Sequence, residues 1–327
     1  LSDVFPYPPI DGRRIPVYHM LRHISRKHEV FLFAFVEPNE ALSEEQLIRV
    51  KKLCIDLRVV SQVPLTKTRI LRGLVSRWPL SLHRYFTVEA VSQLRKIVMT
   101  EKFDLIHAYG FNVGQFVPVI KRWCPLPAIW SPNDCISLNL RRRWRMAVLP
   151  KVKRLFYQFE ALRAVYYERF ILDMCKYAYV VSPVDLKALR SLCPSAKIEV
   201  IPNGVDMEFF APILVTEQKS SPVLVMTGNF GTPRELEAVK FISEVILPMV
   251  RKKFPDTELW LVGGKPTAEV YLLSFIDPNI TVTGPVDDLR PFLSRADVYV
   301  CGLQTGTGIK NRILCLLYTS DAADEGL

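Results

Sequence analysis

The sequence lacks the features that mark several protein classes. Its longest apolar runs, such as the one from Val30 to Val36, are much shorter than the roughly 20 residues that a membrane-spanning helix needs. The N-terminus carries no charged-then-apolar signal pattern, so nothing indicates export. No Gly-x-Gly-x-x-Gly motif follows an apolar run, which disfavours an NAD-linked dehydrogenase. These absences favour a protein that folds and acts inside the cell.

The cysteines form no recognisable framework. There are seven of them, an odd number, at scattered spacings and without a Cys-x-x-Cys pair. A zinc site or a set of disulfides is therefore disfavoured, and we expect no metal. The pattern is typical of a reducing compartment, so we predict a cytoplasmic protein.

What the sequence has is length, apolar residues and positive charge. Its 327 residues, 49% hydrophobic and 23% charged, are enough for two folded domains. The net charge is +10, and the basic residues concentrate in two stretches. These basic residues are Lys67, Arg69, Arg72 and Arg77, then Arg141, Arg142, Arg143, Arg145, Lys151, Lys153 and Arg154.

The second basic stretch also contains Trp144, Leu155 and Phe156. Such a mixture suits an anionic membrane surface or a phosphate group, and it is also typical of a solvated helix face. Nucleic acid is not expected, since no zinc-finger or RNP-type signature accompanies the charge. We therefore predict an anionic membrane surface as a partner, with the solvated face as the alternative.

Short apolar runs alternate with helical stretches along the first 210 residues. Residues 29–36 (EVFLFAFV) form a continuous apolar run typical of a strand buried on both faces of a parallel sheet. Further strands are predicted at 104–107, 127–130 and 177–181. A long helical region is predicted at 140–174 with an interruption at Pro150. This alternation predicts an α/β domain over residues 1–210.

A second α/β domain is predicted over residues 223–314. The mixed polar stretch 211–222 reads as a linker, and a strand is predicted at 223–226. Thr232 and Pro233 are typical of a helix start, and Glu235 can complete a capping box. Strands are predicted at 259–262, 280–283 and 297–301. Two such domains predict a ligand cleft between them, which dehydrogenases, epimerases and transferases share.

Three stretches of the sequence carry a family resemblance. They are 5–21, with Phe5-Pro6-Tyr7-Pro8-Pro9 and Asp11-Gly12-Arg13-Arg14; 201–212, with Ile201-Pro202-Asn203-Gly204-Val205-Asp206; and 227–312, which ends in Gly308-Ile309-Lys310-Asn311-Arg312. In this order they resemble family-4 glycosyltransferases of the GT-B fold, in particular sugar transferases of bacterial exopolysaccharide systems. The resemblance implies two Rossmann-like domains, and we expect the second to be incomplete here.

The resemblance also implies which residues bind the donor. Gly12 would face the donor diphosphate in a turn whose backbone N–H groups are open to phosphate, with a plain strand-to-helix turn as the alternative. Gly228 and Asn229 would contact donor phosphate at a strand end. The remaining predicted donor residues are Gly284, Pro285 and Val286 at the nucleotide base, and Thr307, Gly308 and Ile309 at the sugar and diphosphate.

Catalytic and acceptor-binding residues follow from the same resemblance. Lys310 would add positive charge at the leaving phosphate, although a glycine-rich loop with a lysine is often only a solvated turn. His107 would face the sugar, with a structural histidine as the alternative, since many family members carry a second histidine where this chain has Tyr109. Arg13, Arg14 and Asp134 are the predicted acceptor-binding residues.

Both ends of the sequence depart from the family pattern. Position 315 is Cys and position 307 is Thr, where many family members carry an acidic pair. Residues 315–325 (CLLYTSDAADE) match a translation of a common sequencing adapter, and we interpret 315–327 as an artefactual tail. The chain begins without Met and most of an expected first strand is missing, so we expect truncation at both ends and no activity from this chain.

The sequence therefore predicts a glycosyltransferase that moves a sugar from a UDP- or GDP-linked donor to a saccharide or lipid-linked acceptor. Retention of configuration and a role in cell-surface or exopolysaccharide synthesis are implied by the resemblance. No cofactor is expected, and the protein would work in the cytoplasm, on the inner face of the plasma membrane. The alternatives are a nucleotide-sugar epimerase and a non-catalytic basic protein that binds membrane or nucleic acid.

Overall fold

A computed structural model describes residues 1–145, 150–209, 211 and 221–303. The chain divides into two compact units, the first comprising Leu1–Asn203 and the second beginning at Gly204. This division falls within the Pro-Asn-Gly turn. Most of the predicted 211–222 linker lies outside the described residues, so the domain limits given above stay predictions. None of the described helices is both long and apolar enough to cross a bilayer.

The first unit is an alternation of helices and parallel strands. Its elements are α1 (Arg14–Ile24), β1 (Phe31–Val36), α2 (Glu44–Lys51), β2 (Asp56–Ser61), α3 (Lys67–Val75), α4 (Val88–Thr100), β3 (Ile106–Tyr109), α5 (Phe116–Lys121), β4 (Ala128–Asn133), α6 (Ile136–Trp144), α7 (Lys151–Met174), β5 (Tyr177–Val180), α8 (Pro183–Leu192) and β6 (Ile198–Val200). Short 3-10 turns lie at Leu80–Arg84 and Asn112–Gln115.

The N-terminal residues connect the two halves of this unit's sheet. β1 pairs with β2, and β3, β4, β5 and β6 pair in that order, all in parallel. Ser2 bridges Ala34 of β1 and Tyr109 of β3, also in parallel. Its N–H donates to the carbonyl of Phe33 at 2.9 Å, and its own carbonyl accepts from the N–H of Phe35 at 3.2 Å. Residues 1–3 therefore occupy the place of a central strand.

β1 is buried on both faces, as its continuous apolar sequence predicts. Leu32 packs in one cluster with Leu21 of α1 and Val50 of α2. Phe35 packs on the opposite face, where its ring lies 5.7 Å from that of Phe116 of α5. Helices therefore cover both faces of the sheet, which is the doubly wound arrangement predicted for this part of the chain.

The second unit repeats the pattern with a four-stranded parallel sheet. Its elements are β7 (Val223–Asn229), α9 (Pro233–Phe241), a π-helical turn (Ile242–Ile246), α10 (Leu247–Arg251), β8 (Glu258–Gly264), α11 (Ala268–Ile276), β9 (Ile280–Gly284), α12 (Arg290–Arg295) and β10 (Val298–Tyr299). The strand order is β10-β7-β8-β9. The Thr232 hydroxyl accepts from the N–H of Glu235 at 3.4 Å, so the predicted helix start at Pro233 is confirmed.

The positions of several elements differ from the prediction at their ends. β3 begins two residues later than predicted and extends to Tyr109, and β4 and β7 each run three residues past the predicted end. α6 ends at Trp144 and Pro150 occupies the N-cap position of α7, so the predicted interruption of the helical region at Pro150 is confirmed. For the strands that were predicted, the apolar patterns located the buried centre. The strand ends pair through backbone groups and so leave little trace in the pattern of side chains.

Candidate functional site

The predicted donor-binding residues within the described ranges of the second unit lie at one edge of its sheet. Gly228 and Asn229 are the last two residues of β7, and Gly284 is the last residue of β9. Pro285 and Val286 follow directly. Because all the strands are parallel, their carboxyl ends meet at the same edge, where α/β sheets bind ligands. The predicted residues Thr307, Gly308, Ile309 and Lys310 lie outside the described residues.

Glycine is required at this edge for steric reasons. Gly263 has φ +145°, and a Cβ atom there would lie 2.0 Å from the carbonyl oxygen of Gly228 on the neighbouring strand. Gly284 has φ +71°, in the left-handed region that favours glycine. A Cβ on Gly284 would also lie 3.1 Å from the hydroxyl of Tyr271. Gly263 therefore lets β8 approach β7 closely, and Gly284 lets the chain turn at the end of β9.

A turn and a lysine complete the described part of the edge. The side-chain oxygen of Asn229 accepts from the N–H of Gly231 at 3.3 Å, and the N–H of Phe230 donates to the carbonyl of Gly264 at 2.9 Å. Lys265 follows β8 in a left-handed conformation with φ 51°, and it is exposed. Lys265 was not predicted from the sequence. Its signal was present, since a cation directly after a buried strand that ends in Gly-Gly lies at the carboxyl edge.

The first unit has its own cluster of charged residues at the carboxyl edge of its sheet, around the start of α1. The side chain of Asp11 accepts from the backbone N–H of Arg13 at 2.9 Å and of Arg14 at 3.0 Å. The predicted turn at Gly12 is thus present, but the chain's own carboxylate occupies two of the N–H groups expected to be open. A phosphate at this turn would have to displace Asp11, and the role of Gly12 stays a prediction.

The two predicted acceptor-binding arginines differ in how strongly they are paired. Arg14 is largely buried, and its guanidinium contacts Glu40 at 2.5 Å and Asp11 at 3.3 Å. Arg13 is more than half exposed and lies 4.0 Å from Glu37, which Arg84 contacts at 2.8 Å. Arg13 is therefore the arginine with donor groups available to a ligand, whereas Arg14 holds the start of α1.

Asp3 lies at the end of the N-terminal segment and was not predicted. It is 8% exposed and accepts from the side-chain amide of Asn112 at 3.2 Å. Burial raises the pKa of Asp3, against the opposing effect of the Arg13 charge. Asp3 and the predicted Asp134 both lie close enough to Tyr109 to raise the pKa of its hydroxyl, after the larger effect of burial. Asp3 bonds to Tyr109 through its backbone N–H, which lies 3.3 Å from the Tyr109 carbonyl, whereas the predicted Asp134 acts on Tyr109 through its charge.

His107 lies two residues before Tyr109 on β3 and faces the side covered by α1. Its Nε2 atom lies 3.0 Å from the hydroxyl of Tyr179, which also contacts the sulfur of Met20 on α1 at 3.3 Å. Burial lowers the pKa of His107 to about 4, so the ring is neutral at pH 7. The structure thus places Tyr109 rather than His107 at the carboxyl end of β3. The catalytic role of His107 stays a prediction.

Two buried carboxyl groups fix the loop that carries Asp134. Asp185 accepts from the N–H of Cys135 at 2.9 Å, and Glu168 of α7 accepts from the N–H of Ser137 at 3.2 Å. Burial raises the pKa of Glu168 to about 7. These carboxyl groups satisfy the free N–H groups at the start of α6 and so hold Asp134 at the sheet edge.

Two units of parallel sheet and covering helices, each with polar residues or glycine turns at its carboxyl edge, define a chain of the two-domain, Rossmann-like GT-B class. The model of Glycosyltransferase Family 4 matches residues 17–209, more than half of the chain, and that of Glycosyl transferases group 1 matches residues 221–317. The chain therefore belongs to glycosyltransferase family 4.

Individual relatives agree with this assignment. The chain is 22% identical over 231 residues to an Escherichia coli UDP-Gal:alpha-D-GlcNAc-diphosphoundecaprenol alpha-1,3-galactosyltransferase, an alignment that covers 65% of this chain and 55% of the relative. The chain thus spans about half the length of this curated relative.

Among solved structures, it resembles sucrose-phosphate synthase from Thermosynechococcus elongatus with a TM-score of 0.64 and 16% identity, over 97% of this chain and 77% of that one. It also resembles the lipopolysaccharide outer core galactosyltransferase WaaB with a TM-score of 0.57 and 12% identity, over 99% and 81%. At these identities the likeness shows the fold.

Proposed function

We propose that this chain is the sugar-transferring part of a glycosyltransferase that uses a nucleotide-sugar donor and no cofactor. The observation that carries the proposal is the convergence of Gly228, Asn229 and Gly284 at one sheet edge of the second unit. There, Gly263 lets β8 approach β7 closely and the left-handed Gly284 turns the chain, at the carboxyl edge where parallel α/β sheets bind ligands.

A UDP-linked donor is the first candidate. The name of the Escherichia coli relative specifies UDP-Gal, and the match to that relative covers 65% of the present chain. A GDP-linked donor remains the alternative, because backbone contacts to the base depend on the shape of the 284–286 loop rather than on a single side chain. The donor would be held by Gly228, Asn229, Gly284, Pro285 and Val286, with Lys265 as an additional cation near the phosphates.

The acceptor would bind at the carboxyl edge of the first unit. Arg13 offers an exposed guanidinium, and Asp134 offers a carboxyl group near Tyr109. The relative's name specifies an acceptor sugar on a lipid diphosphate, which an arginine could bind through charge-assisted hydrogen bonds. We therefore propose a saccharide or lipid-linked acceptor at the inner face of the plasma membrane, in the synthesis of cell-surface or exopolysaccharide sugars.

The proposed reaction retains the anomeric configuration. The departing diphosphate would accept the proton of the acceptor hydroxyl on the same face of the sugar from which it leaves, so no side-chain nucleophile is required. The protein would contribute by positioning the two substrates and by stabilising the negative charge that develops on the phosphate.

Binding of nucleotides tests the proposal without requiring turnover. Thermal unfolding of the chain is measured with UDP, GDP, ADP and NAD separately. A ligand at about 100 times its Kd should add roughly 2.7 kcal/mol to the free energy of unfolding. We expect UDP to stabilise the chain and NAD to have no effect. If no nucleoside diphosphate stabilises the chain, the proposed donor site is contradicted and a non-catalytic basic protein is favoured.

A further inference from the structure

Two helices of the first unit expose apolar side chains to solvent. Val75 at the end of α3 is 85% exposed and Val152 near the start of α7 is 80% exposed. In each helix the exposed apolar residues recur at spacings of three or four, so they share one side of the helix. We call this the α3–α7 surface, defined by Leu71, Leu74 and Val75 of α3 and by Val152, Leu155 and Leu162 of α7.

Buried polar contacts fix α3 against α7. Arg163 of α7 forms an ion pair with Glu160 at 2.8 Å, and its other guanidinium nitrogen donates to the carbonyl of Leu74. Glu160 also accepts from the N–H of Leu80 at 2.8 Å, in the turn that follows α3. The ring of Trp78 in the same segment lies 5.6 Å from that of Tyr166. The two exposed apolar stripes therefore belong to one folded body.

The first half of α7 contacts α6, where the guanidinium of Arg154 donates to the carbonyl of Trp144 at 3.0 Å, but it does not enter the core of the unit. None of residues 151–159 is buried, whereas the second half buries residues such as Ala164, Tyr167 and Ile171. Among the described residues, nothing covers the stripe of Val152 and Leu155. An apolar stripe of this kind, exposed along a helix, marks an interaction surface.

The charge of the α3–α7 surface is of one sign. The sequence segments 62–83 and 136–159, which contain α3, α6 and the first half of α7, hold 11 of the 43 Lys and Arg residues and none of the 33 Asp and Glu residues. The remainder of the chain is therefore net acidic. The positive charge that the whole chain carries thus comes from the two segments around the exposed apolar residues, and it selects an anionic partner.

We propose that the α3–α7 surface docks on an anionic phospholipid bilayer. Its aliphatic side chains would enter the boundary between headgroups and acyl chains, while the surrounding Lys and Arg residues contact lipid phosphates. Nucleic acid would neutralise the cations but leave Val75 and Val152 in water, and a second copy of the chain would bring like charges together. This inference rests on the proposed function at one point: a lipid-linked acceptor would itself lie in such a bilayer.

Vesicle sedimentation of the full chain tests this inference. We expect the chain to bind vesicles of phosphatidylcholine with one-third phosphatidylglycerol, to bind pure phosphatidylcholine weakly, and to dissociate when NaCl is raised from about 0.1 M to about 0.5 M. No binding to the anionic vesicles would overturn the proposal. Equal binding to both kinds of vesicle would overturn the assigned role of the charges.

Matched pairs of variants locate the binding surface. The double variant K151Q/K153Q should weaken binding to the anionic vesicles by about 30-fold, because each lysine near an anionic surface contributes about 1 kcal/mol to the binding free energy. The control K252Q/K253Q removes two exposed lysines from the second unit and should change little. L71Q/L155Q should weaken binding by about tenfold, whereas L272Q, at an exposed leucine of α11, should not. Circular dichroism establishes that each variant is folded.

The outcomes separate this inference from the proposed function. The vesicle assay contains no nucleotide, and stabilisation by UDP is measured without vesicles, so each can fail alone. If the α3–α7 variants and their controls lose equal affinity for the anionic vesicles, the assignment of the binding surface is overturned. If sedimentation velocity instead shows an oligomer that L71Q/L155Q dissociates, the surface binds a second copy and the bilayer proposal is wrong.

Discussion

Glu168 is a carboxyl group held without exposure to water at the start of α6. Burial raises its pKa from 4.5 to about 7 in the folded chain. Between these pH values, the folded state retains a proton that the unfolded state has lost. The stability that the protonated carboxyl contributes is therefore full below about pH 4.5 and is lost as pH rises through about 7.

Replacement of Glu168 by Gln should remove this pH dependence. We expect the free energy of unfolding of the unmodified chain to fall by about 2–3 kcal/mol relative to that of E168Q between pH 5 and pH 8. Chemical denaturation at each pH measures the difference. E101Q, at an exposed carboxylate of the same unit, provides the control and should show no such difference. If the free energy of unfolding depends on pH in the same way for the unmodified chain and for E168Q, the raised pKa of Glu168 is contradicted.

Lys265 is the exposed cation that follows β8 at the proposed donor edge. Replacement by Asn removes the charge while keeping a residue that tolerates the left-handed φ of 51°. We expect K265N to weaken UDP binding by about 5- to 30-fold and to leave uridine binding nearly unchanged, since the lysine would act on the phosphates. Calorimetric titration measures both ligands, and K252N is the control. Equal losses for UDP and uridine would contradict a phosphate contact.

At the residue scale, sequence reasoning located the glycines better than the charges. Gly228 and Gly284 could be predicted because they belong to motifs with a fixed position relative to a strand end. Asp3 and Glu168 could not, because their importance comes from burial and from neighbours distant in sequence, whereas Lys265 was missed although it directly follows a buried strand. Glu168 meets Ser137 across 31 residues, and no spacing rule predicts such a pair.

At the scale of elements, the β7–β8 pair depends on the absence of a side chain at Gly263. We expect G263A to lower the free energy of unfolding, because its Cβ would collide with the carbonyl oxygen of Gly228. The positive φ of residue 263 alone would cost an alanine about 1–3 kcal/mol in backbone strain. G264A is the control, since its Cβ would meet no atom within 4 Å. Denaturation midpoints compare the two. If G264A proves as destabilising as G263A, the close approach of the strands is not the cause.

The elements themselves divide into those that the sequence predicts and those that it does not. β1 and β8 are long apolar runs buried within a sheet, so their existence is clear from composition. β2 (DLRVVS) and β6 were not predicted, because β2 mixes polar with apolar residues and is partly exposed, and β6 has only three residues. The pairing of residues 1–3 between β1 and β3 was also not predicted, since three residues carry no periodicity.

At the scale of the whole molecule, the sequence predicted two α/β units, and the structure and the family match confirm the fold class. The repeated alternation of apolar runs and helical stretches is what made this possible. The sequence also predicted the excess of positive charge, but not its arrangement around exposed apolar residues of α3 and α7. That arrangement depends on Arg163 and Glu160, which are buried charges that a sequence pattern does not distinguish from a solvated pair.

The central claim is that the donor nucleotide binds at the carboxyl edge of the second unit's sheet. Amide hydrogen exchange, with and without UDP at about 100 times its Kd, tests it most directly. We predict slower exchange with UDP at residues 228–231 and 284–286, with α3 and the first half of α7 unchanged. Slower exchange confined to the first unit, or no change at either segment despite saturation, would contradict the account.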